Sequence, residues 1–436
     1  MSVRLPAPPP SRRRKSQPSS LLRTTLLAAI LILAGVSAAL AASAALSRSN
    51  IADASPAGSL STPEHLRASA WWPTKPAEPS RYVGTATCAE CHAGIVRSQS
   101  KSQMFRTFGP AVNSSVLARE KLAPYTNGDY TYRAALSNNH TAAVVDVNDS
   151  HGKLHHVELK WFLGSGDVGQ SFLWQDGAGF DETRFNYFRS LNAIGSTPGR
   201  LSAPPTSFKM AVGRPIEPFE VRSCLSCHTT QYPAAGPITD AHLVGGVQCE
   251  ACHGPGAAHV AAARQHAGDA DVSYPAAPPW DPEIFNIARL TPVNAVDGCG
   301  ACHSTPTDVR LLGAAGVETV RFPAYRLEKS VCWGQNGDAR LICSSCHDPH
   351  APLEKEPSAY DHVCQSCHTG APPATLTTVA ANSAVDNTSG RLARLCPVAK
   401  TRCVSCHMPK YPIPEMHARF TDHRIQINQT PAKWIP

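Results

Sequence analysis

Aromatic side chains make up only 7% of this 436-residue chain, while 38 of its residues are proline. Few aromatics leave a hydrophobic core without its bulkiest material, and frequent proline interrupts both helices and central strands. Acid is missing from the first 50 residues, which hold seven basic side chains (Arg4, Arg12, Arg13, Arg14, Lys15, Arg23 and Arg48). The remainder carries 33 Lys and Arg against 33 Asp and Glu, so the formal +7 charge sits entirely at the N-terminus. With the basic excess confined to the N-terminus, a nucleic-acid partner has no support.

Cysteine and histidine, in contrast, are patterned. Cys-x-x-Cys-His occurs seven times, at Cys88/Cys91/His92, Cys224/Cys227/His228, Cys249/Cys252/His253, Cys299/Cys302/His303, Cys343/Cys346/His347, Cys364/Cys367/His368 and Cys403/Cys406/His407. The motif is the attachment signature of a c-type haem. Two thiols add to the two vinyl groups of one porphyrin, and the adjacent imidazole becomes the proximal ligand of the iron. Zinc knuckles, iron–sulfur ligands and disulfide frameworks also use paired cysteines. None of them requires a histidine directly after every second cysteine, in a chain with 19 His among 436 residues. The expected cofactors are therefore seven covalent haems c with their iron. From the second motif on, successive first cysteines lie 25, 50, 44, 21 and 39 residues apart, a spacing without the fixed period of a solenoid.

Porphyrins can supply the apolar volume that the side chains lack. The expected fold is mostly α with low regular secondary structure, wrapped around seven covalently bound haems and largely unfolded without them. A small antiparallel β element is expected near residues 128–175. There Tyr130-Thr-Tyr132, Thr141 to Val145 and His156 to Phe162 have the character of strands, with turns at Asn138-Asn139 and Asp149 to Gly152.

The rest of the chain divides by composition. Residues 1–23 read as a basic cytoplasmic N-terminus. Thr24 to Leu46 is a nearly uninterrupted apolar run of 23 residues, long enough to span a bilayer. Basic charge on its N-terminal side orients the body outward. Ala39-Leu-Ala41 and Ala42-Ser-Ala44 fit cleavage of a signal peptide, whereas the length of the run fits a retained anchor. Residues 47–80 are a Pro/Ser/Ala-rich linker. Residues 81–425 form the multihaem domain, with the first haem and a β-rich insert in 81–215 and six haems in 216–425, followed by a tail, 426–436. The expected location is the periplasmic side of the cytoplasmic membrane.

Several stretches resemble the cytochrome c-552/c-554-like multihaem family. They are Tyr82-Val-Gly-Thr-Ala-Thr-Cys88, Gly246-Val-Gln-Cys249 through His259, Cys346-His347-Asp-Pro-His350 and Cys406-His407-Met-Pro-Lys410. The resemblance covers about residues 80–425. Gly164-Ser-Gly166 with Ser171-Phe-Leu173 is similar too, although Asp167 stands where that family often has histidine.

The proximal set is His92, His228, His253, His303, His347, His368 and His407. For the opposite face of each iron, the resemblance and its offset from His253 point to His259. His350 lies too close to His347 to serve the same haem, but is well placed to cap a neighbouring one. His417 and His423 resemble the family's C-terminal ligands, and His242 precedes the third motif. Met104, 12 residues after His92, is the candidate for a methionine ligand, with packed apolar side chain as the alternative. His155 or His156 is the last candidate, with a surface histidine on a strand as the favoured alternative, while His65, His140, His151, His266 and His362 read as ordinary polar residues. Cys332 and Cys396 remain, and an oxidising compartment favours a bond between them over two free thiols.

No separate catalytic residue is needed for an electron carrier. The expected function is electron transfer from a membrane quinol-oxidising module or another cytochrome to a downstream acceptor, with the cytoplasmic membrane as a further partner. The alternative is a multihaem oxidoreductase acting on a small nitrogen or sulfur compound at one open-coordination haem. None of the seven motifs reads Cys-x-x-Cys-Lys, the form at the active haem of pentahaem nitrite reductases, which argues against that class.

Overall fold

Among the described residues, nine of the twelve buried aromatics fall between positions 108 and 188, including Phe108, Tyr132, Trp161, Phe172, Phe185 and Tyr187. That concentration builds the largest element of the computed structural model, which describes residues 79–427 except 120–121, 200–202, 267–283, 288–289, 334–340, 369–395 and 397. Ten strands form one antiparallel sheet: β1 (Phe108–Pro110), β2 (Tyr125–Asn127), β3 (Tyr130–Leu136), β4 (Ala143–Asn148), β5 (Leu154–Leu163), β6 (Gly169–Asp176), β7 (Gly179–Thr183), β8 (Phe185–Phe188), β9 (Ala193–Ser196) and β10 (Gly213–Ile216). The order runs β10-β7-β6-β5-β4-β3-β2, with β1 on β5, and with β8 joining β6 to β9.

The expectation of a mostly α fold with only a small β element is thereby overturned. A whole-chain aromatic average concealed a segment dense enough in Phe, Tyr and Trp to build its own core. Alternation does the rest. In β4, Ala143, Val145 and Val147 are buried while Val144, Asp146 and Asn148 are not, as a strand with one face on a core requires.

Two clusters fill the sheet's faces. One holds Tyr132, Val145, Val147, Phe172, Phe185 and Tyr187. The other joins Phe108, Trp161, Leu173 and Phe180 to Val221 and Leu225 of the helix Pro218–His228. Val221 and Leu225 are four residues apart, so they share one helix face, and both are fully buried. Each such burial stabilises by about 1.5–3 kcal/mol. Pro218 at the first helical position and the Glu220 carboxylate, which accepts the Glu217 N–H at 3.1 Å, start this helix. The second Cys-x-x-Cys-His motif lies at its C-terminal end and is thus mounted on the sheet.

The other motifs occupy short helices: Gly84–Gln99, Cys249–His253, Pro292–His303, Cys343–Cys346, Asp361–His368 and Cys403–His407. Among the described residues no helix is long and apolar enough to cross a membrane. The apolar run 24–46 and the basic segment before it lie outside the described residues, as does most of the linker 47–80.

Candidate haem-binding cavity

A helical turn places residues i, i+3 and i+4 on one side, so each motif directs two thiols and one imidazole the same way. In the tertiary structure that direction converges. A continuous cavity of about 3250 Å³ is lined by all seven motif histidines and by twelve of the fourteen motif cysteines, Cys224 and Cys406 being the exceptions. A pocket for one small ligand usually has about 300–1,000 Å³, so this space accommodates several large groups.

Four candidate second ligands line it as well: His259, His350, His423 and Met104. Three of them stand opposite motif histidines. Ring centres are 6.5 Å apart for His92 and His259 at an interplanar angle of 20°, and 6.0 Å apart for His253 and His350 at 6°. His347 and His423 are separated by 6.1 Å at 47°. A metal–imidazole nitrogen bond is about 2 Å long and a ring centre lies roughly 1 Å behind its nitrogen, so two rings on opposite faces of one iron are separated by about 6 Å. The three pairs have that spacing. Sequence proximity did not forecast the pairing, since His259 faces His92 rather than the nearby His253.

The remaining candidates lie elsewhere. His156 is on β5, 62% exposed, with Nδ1 2.8 Å from an Asp146 carboxylate oxygen. His155 stacks on Phe208 with ring centres 3.7 Å apart. His242 sits in an exposed turn with Nδ1 3.2 Å from Thr239 Oγ1. His417 packs edge-on against Phe188, 4.6 Å between centres. None of these four lines the cavity. Cys332 and Cys396 both do, and they are not joined to each other.

Backbone carbonyls orient several cavity imidazoles. Nδ1 of His253 lies 2.7 Å from the Phe285 carbonyl, that of His407 2.8 Å from Gln426, and that of His423 3.1 Å from Thr421. Nδ1 of His228 is 2.8 Å from Thr107 Oγ1. A carbonyl fixes the proton on Nδ1 and leaves Nε2 with its lone pair, the arrangement of a metal-ligating histidine. Burial acts in the same direction. It lowers the pKa of His228, His253, His303 and His347, and brings His423 down to about 4, which keeps these rings neutral near pH 7. Among the described residues no group of three or more His, Cys, Asp or Glu side chains is gathered around a bare-ion site. A porphyrin needs no such group, because its own four nitrogens hold the iron. The residues present therefore fit haem.

Charged side chains signalled by no motif position these ligands. Glu250, between the two cysteines of the third motif, is buried. Its carboxylate accepts the N–H groups of Val83 and Gly84 at 2.9 Å and of Gly256 at 2.8 Å. It thereby caps the helix that bears the first motif, where an anion is favoured. Asp361 does the same for the seventh motif, accepting from Arg402 and Cys403 N–H at 2.7 and 2.8 Å. Gly246, just before the third motif, has φ +73°, and a side chain there would overlap the Phe105 carbonyl.

Next to His423, Asp422 is 1% exposed and paired in two-pronged fashion with Arg326, Nε–Oδ1 at 2.8 Å and Nη2–Oδ2 at 2.5 Å. Removing one partner of such a pair leaves a buried charge uncompensated, at a cost of about 3–5 kcal/mol. Denaturant unfolding of the haem-loaded Arg326→Ala protein should show a loss of that size. A loss below about 1 kcal/mol would mean that the pair does not hold the His423 segment.

No curated protein matches the chain. Among solved structures, the outer cell wall cytochrome OcwA is similar over 79% of this chain and 80% of that one, at 12% identity and a TM-score of 0.43. Residues 204–254, which bear the second and third motifs, match the family described as cytochrome c554 and c-prime.

Proposed function

We propose that the protein is a seven-haem c-type cytochrome that carries electrons on the periplasmic side of the cytoplasmic membrane. Its donor is a membrane quinol-oxidising module or another cytochrome, and its acceptor lies downstream. One observation carries this reading: all seven motif histidines border the same cavity. Bound haem supplies reversible one-electron chemistry at its iron.

The chain's own residues hold and tune. Paired thiols anchor each group at two points, and His92, His253 and His347 face His259, His350 and His423 across the ligand spacing. Carbonyl acceptors hold the proton on Nδ1. A shared cavity keeps the groups close, which is what transfer between them needs. Membrane attachment through residues 24–46 belongs to this proposal, as does the absence of a nucleic-acid partner.

A second reading has its own observation. Of seven residues considered as second ligands, four line the cavity, while His156, His242 and His417 do not. Four such side chains for seven motifs leave room for an open-coordination haem, where a small nitrogen or sulfur compound is turned over. Low-temperature EPR of the oxidised protein, with a pyridine haemochrome count, separates the two. Seven haems with low-spin signals alone support the carrier. A high-spin fraction that shifts with nitrite or hydroxylamine supports the enzyme.

A further inference from the structure

The contacts between motif-bearing segments show how the seven sites are connected, and the connection is not a single file. The helix Gly84–Gln99 packs on Cys249–His253, with Thr85 Oγ1 3.8 Å from Cys249 Sγ, which joins the first motif to the third. From the third motif, His253 bonds the Phe285 carbonyl, and Phe285 shares a cluster with Cys252 and Ile287. Ile287 in turn lies against Gly298, where an added Cβ would be only 3.3 Å away, inside the helix of the fourth motif.

Two more segments meet that same helix, Pro292–His303. Pro218–His228 touches it, with Cys227 Sγ 3.9 Å from the Ala301 carbonyl. Cys343–Cys346 packs on it through the cluster shared by Val296 and Cys343. The thiols agree with the backbone, since Cys227 lies beside Cys302 and Cys299 beside Cys343, with no disulfide between them. Beyond the fifth motif, the His347 ring meets Tyr360 at 5.6 Å. The turn Pro357–Tyr360 contacts both Asp361–His368 and Cys403–His407, which also touch each other.

We infer that the fourth motif, Cys299/Cys302/His303, is a three-way junction, with the third and fifth motifs on a through-line and the second motif as a side branch. The through-line runs first, third, fourth, fifth and then to the sixth and seventh, which touch each other. The branch ends at the second motif because the opposite face of its helix is buried on the sheet by Val221 and Leu225. A thioether sulfur is attached to a carbon borne directly by the porphyrin ring, so thiols that touch bring porphyrin edges together. Three arms follow, ending at the first motif, at the second and at the pair of sixth and seventh, which makes the chain a distributor rather than a two-ended wire.

This inference rests on the cytochrome reading, and one preparation tests the two separately. Iron positions from anomalous diffraction of holoprotein crystals should give the fourth-motif iron three near neighbours and the second-motif iron one. A fourth-motif iron with two near neighbours, or a second-motif iron with two, overturns the junction. Fewer than seven haems by pyridine haemochrome overturns the cytochrome reading instead. In stopped-flow reduction, Cys299→Ser with Cys302→Ser should split the remaining haems into separately reduced groups. Cys224→Ser with Cys227→Ser should leave the through-line equilibrating as one phase. Equal behaviour of the two double variants also counts against the junction.

Discussion

Replacing His350 by alanine should convert one low-spin iron per chain to high spin, visible as a new EPR signal of about one seventh of the total iron under seven-haem loading. The His350 ring lies 6.0 Å from that of His253 and nearly parallel to it, and both face the cavity. Its backbone is pinned, because the His350 N–H donates to an Asp348 carboxylate oxygen at 2.8 Å. A side chain so held cannot be replaced by a neighbour sliding into position. The change should be reversed by added imidazole, which refills the site without the tether. His156→Ala is the control, since that ring is bonded to Asp146 on the exposed side of the sheet. An unchanged spectrum for His350→Ala, or the same change for His156→Ala, would discard the ligand assignment.

The haem-free chain should keep its sheet and lose its haem region. Limited proteolysis of protein made without haem attachment should leave a resistant fragment spanning roughly residues 108–216, with the segments from the third motif onward digested. The short motif helices border a space of about 3250 Å³, so without the groups that fill it they lose the packing partners that a bound metal centre supplies. The sheet is different, because Tyr132, Val145, Phe172 and Phe185 are buried against one another and none of them borders the cavity. Digestion of the sheet along with the rest would show that its core does not suffice. Full resistance of the haem-free chain would show that the cavity needs no filling.

The two results test separate halves of one molecule, and the sequence exposes those halves unequally. Strand-like alternation was readable at Tyr130-Thr-Tyr132, Thr141 to Val145 and His156 to Phe162. Phe185–Phe188 was not, because all four of its residues are buried and alternation vanishes. Average composition misled further. Low aromatic content overall argued against a large core, while the aromatic residues were gathered where the sheet needed them.

Glu250 and Asp361 were equally silent in sequence. A buried carboxylate that caps another segment's helix has no local signature, because the helix-capping N–H groups lie 166 and 167 residues away for Glu250 and 41 and 42 for Asp361.

The sequence by itself determined where covalent attachment is possible and which imidazole sits beneath each group, because thiols and ligand fall within five consecutive residues and need only one helical turn. Tertiary structure alone decided which histidine faces which. His259 follows His253 by six positions yet stands across from His92, and His350 follows His347 by three yet stands across from His253. The rings of His259, His350 and His423 are each brought to their partners by chain from another part of the fold, and no local spacing in the sequence encodes such a contact.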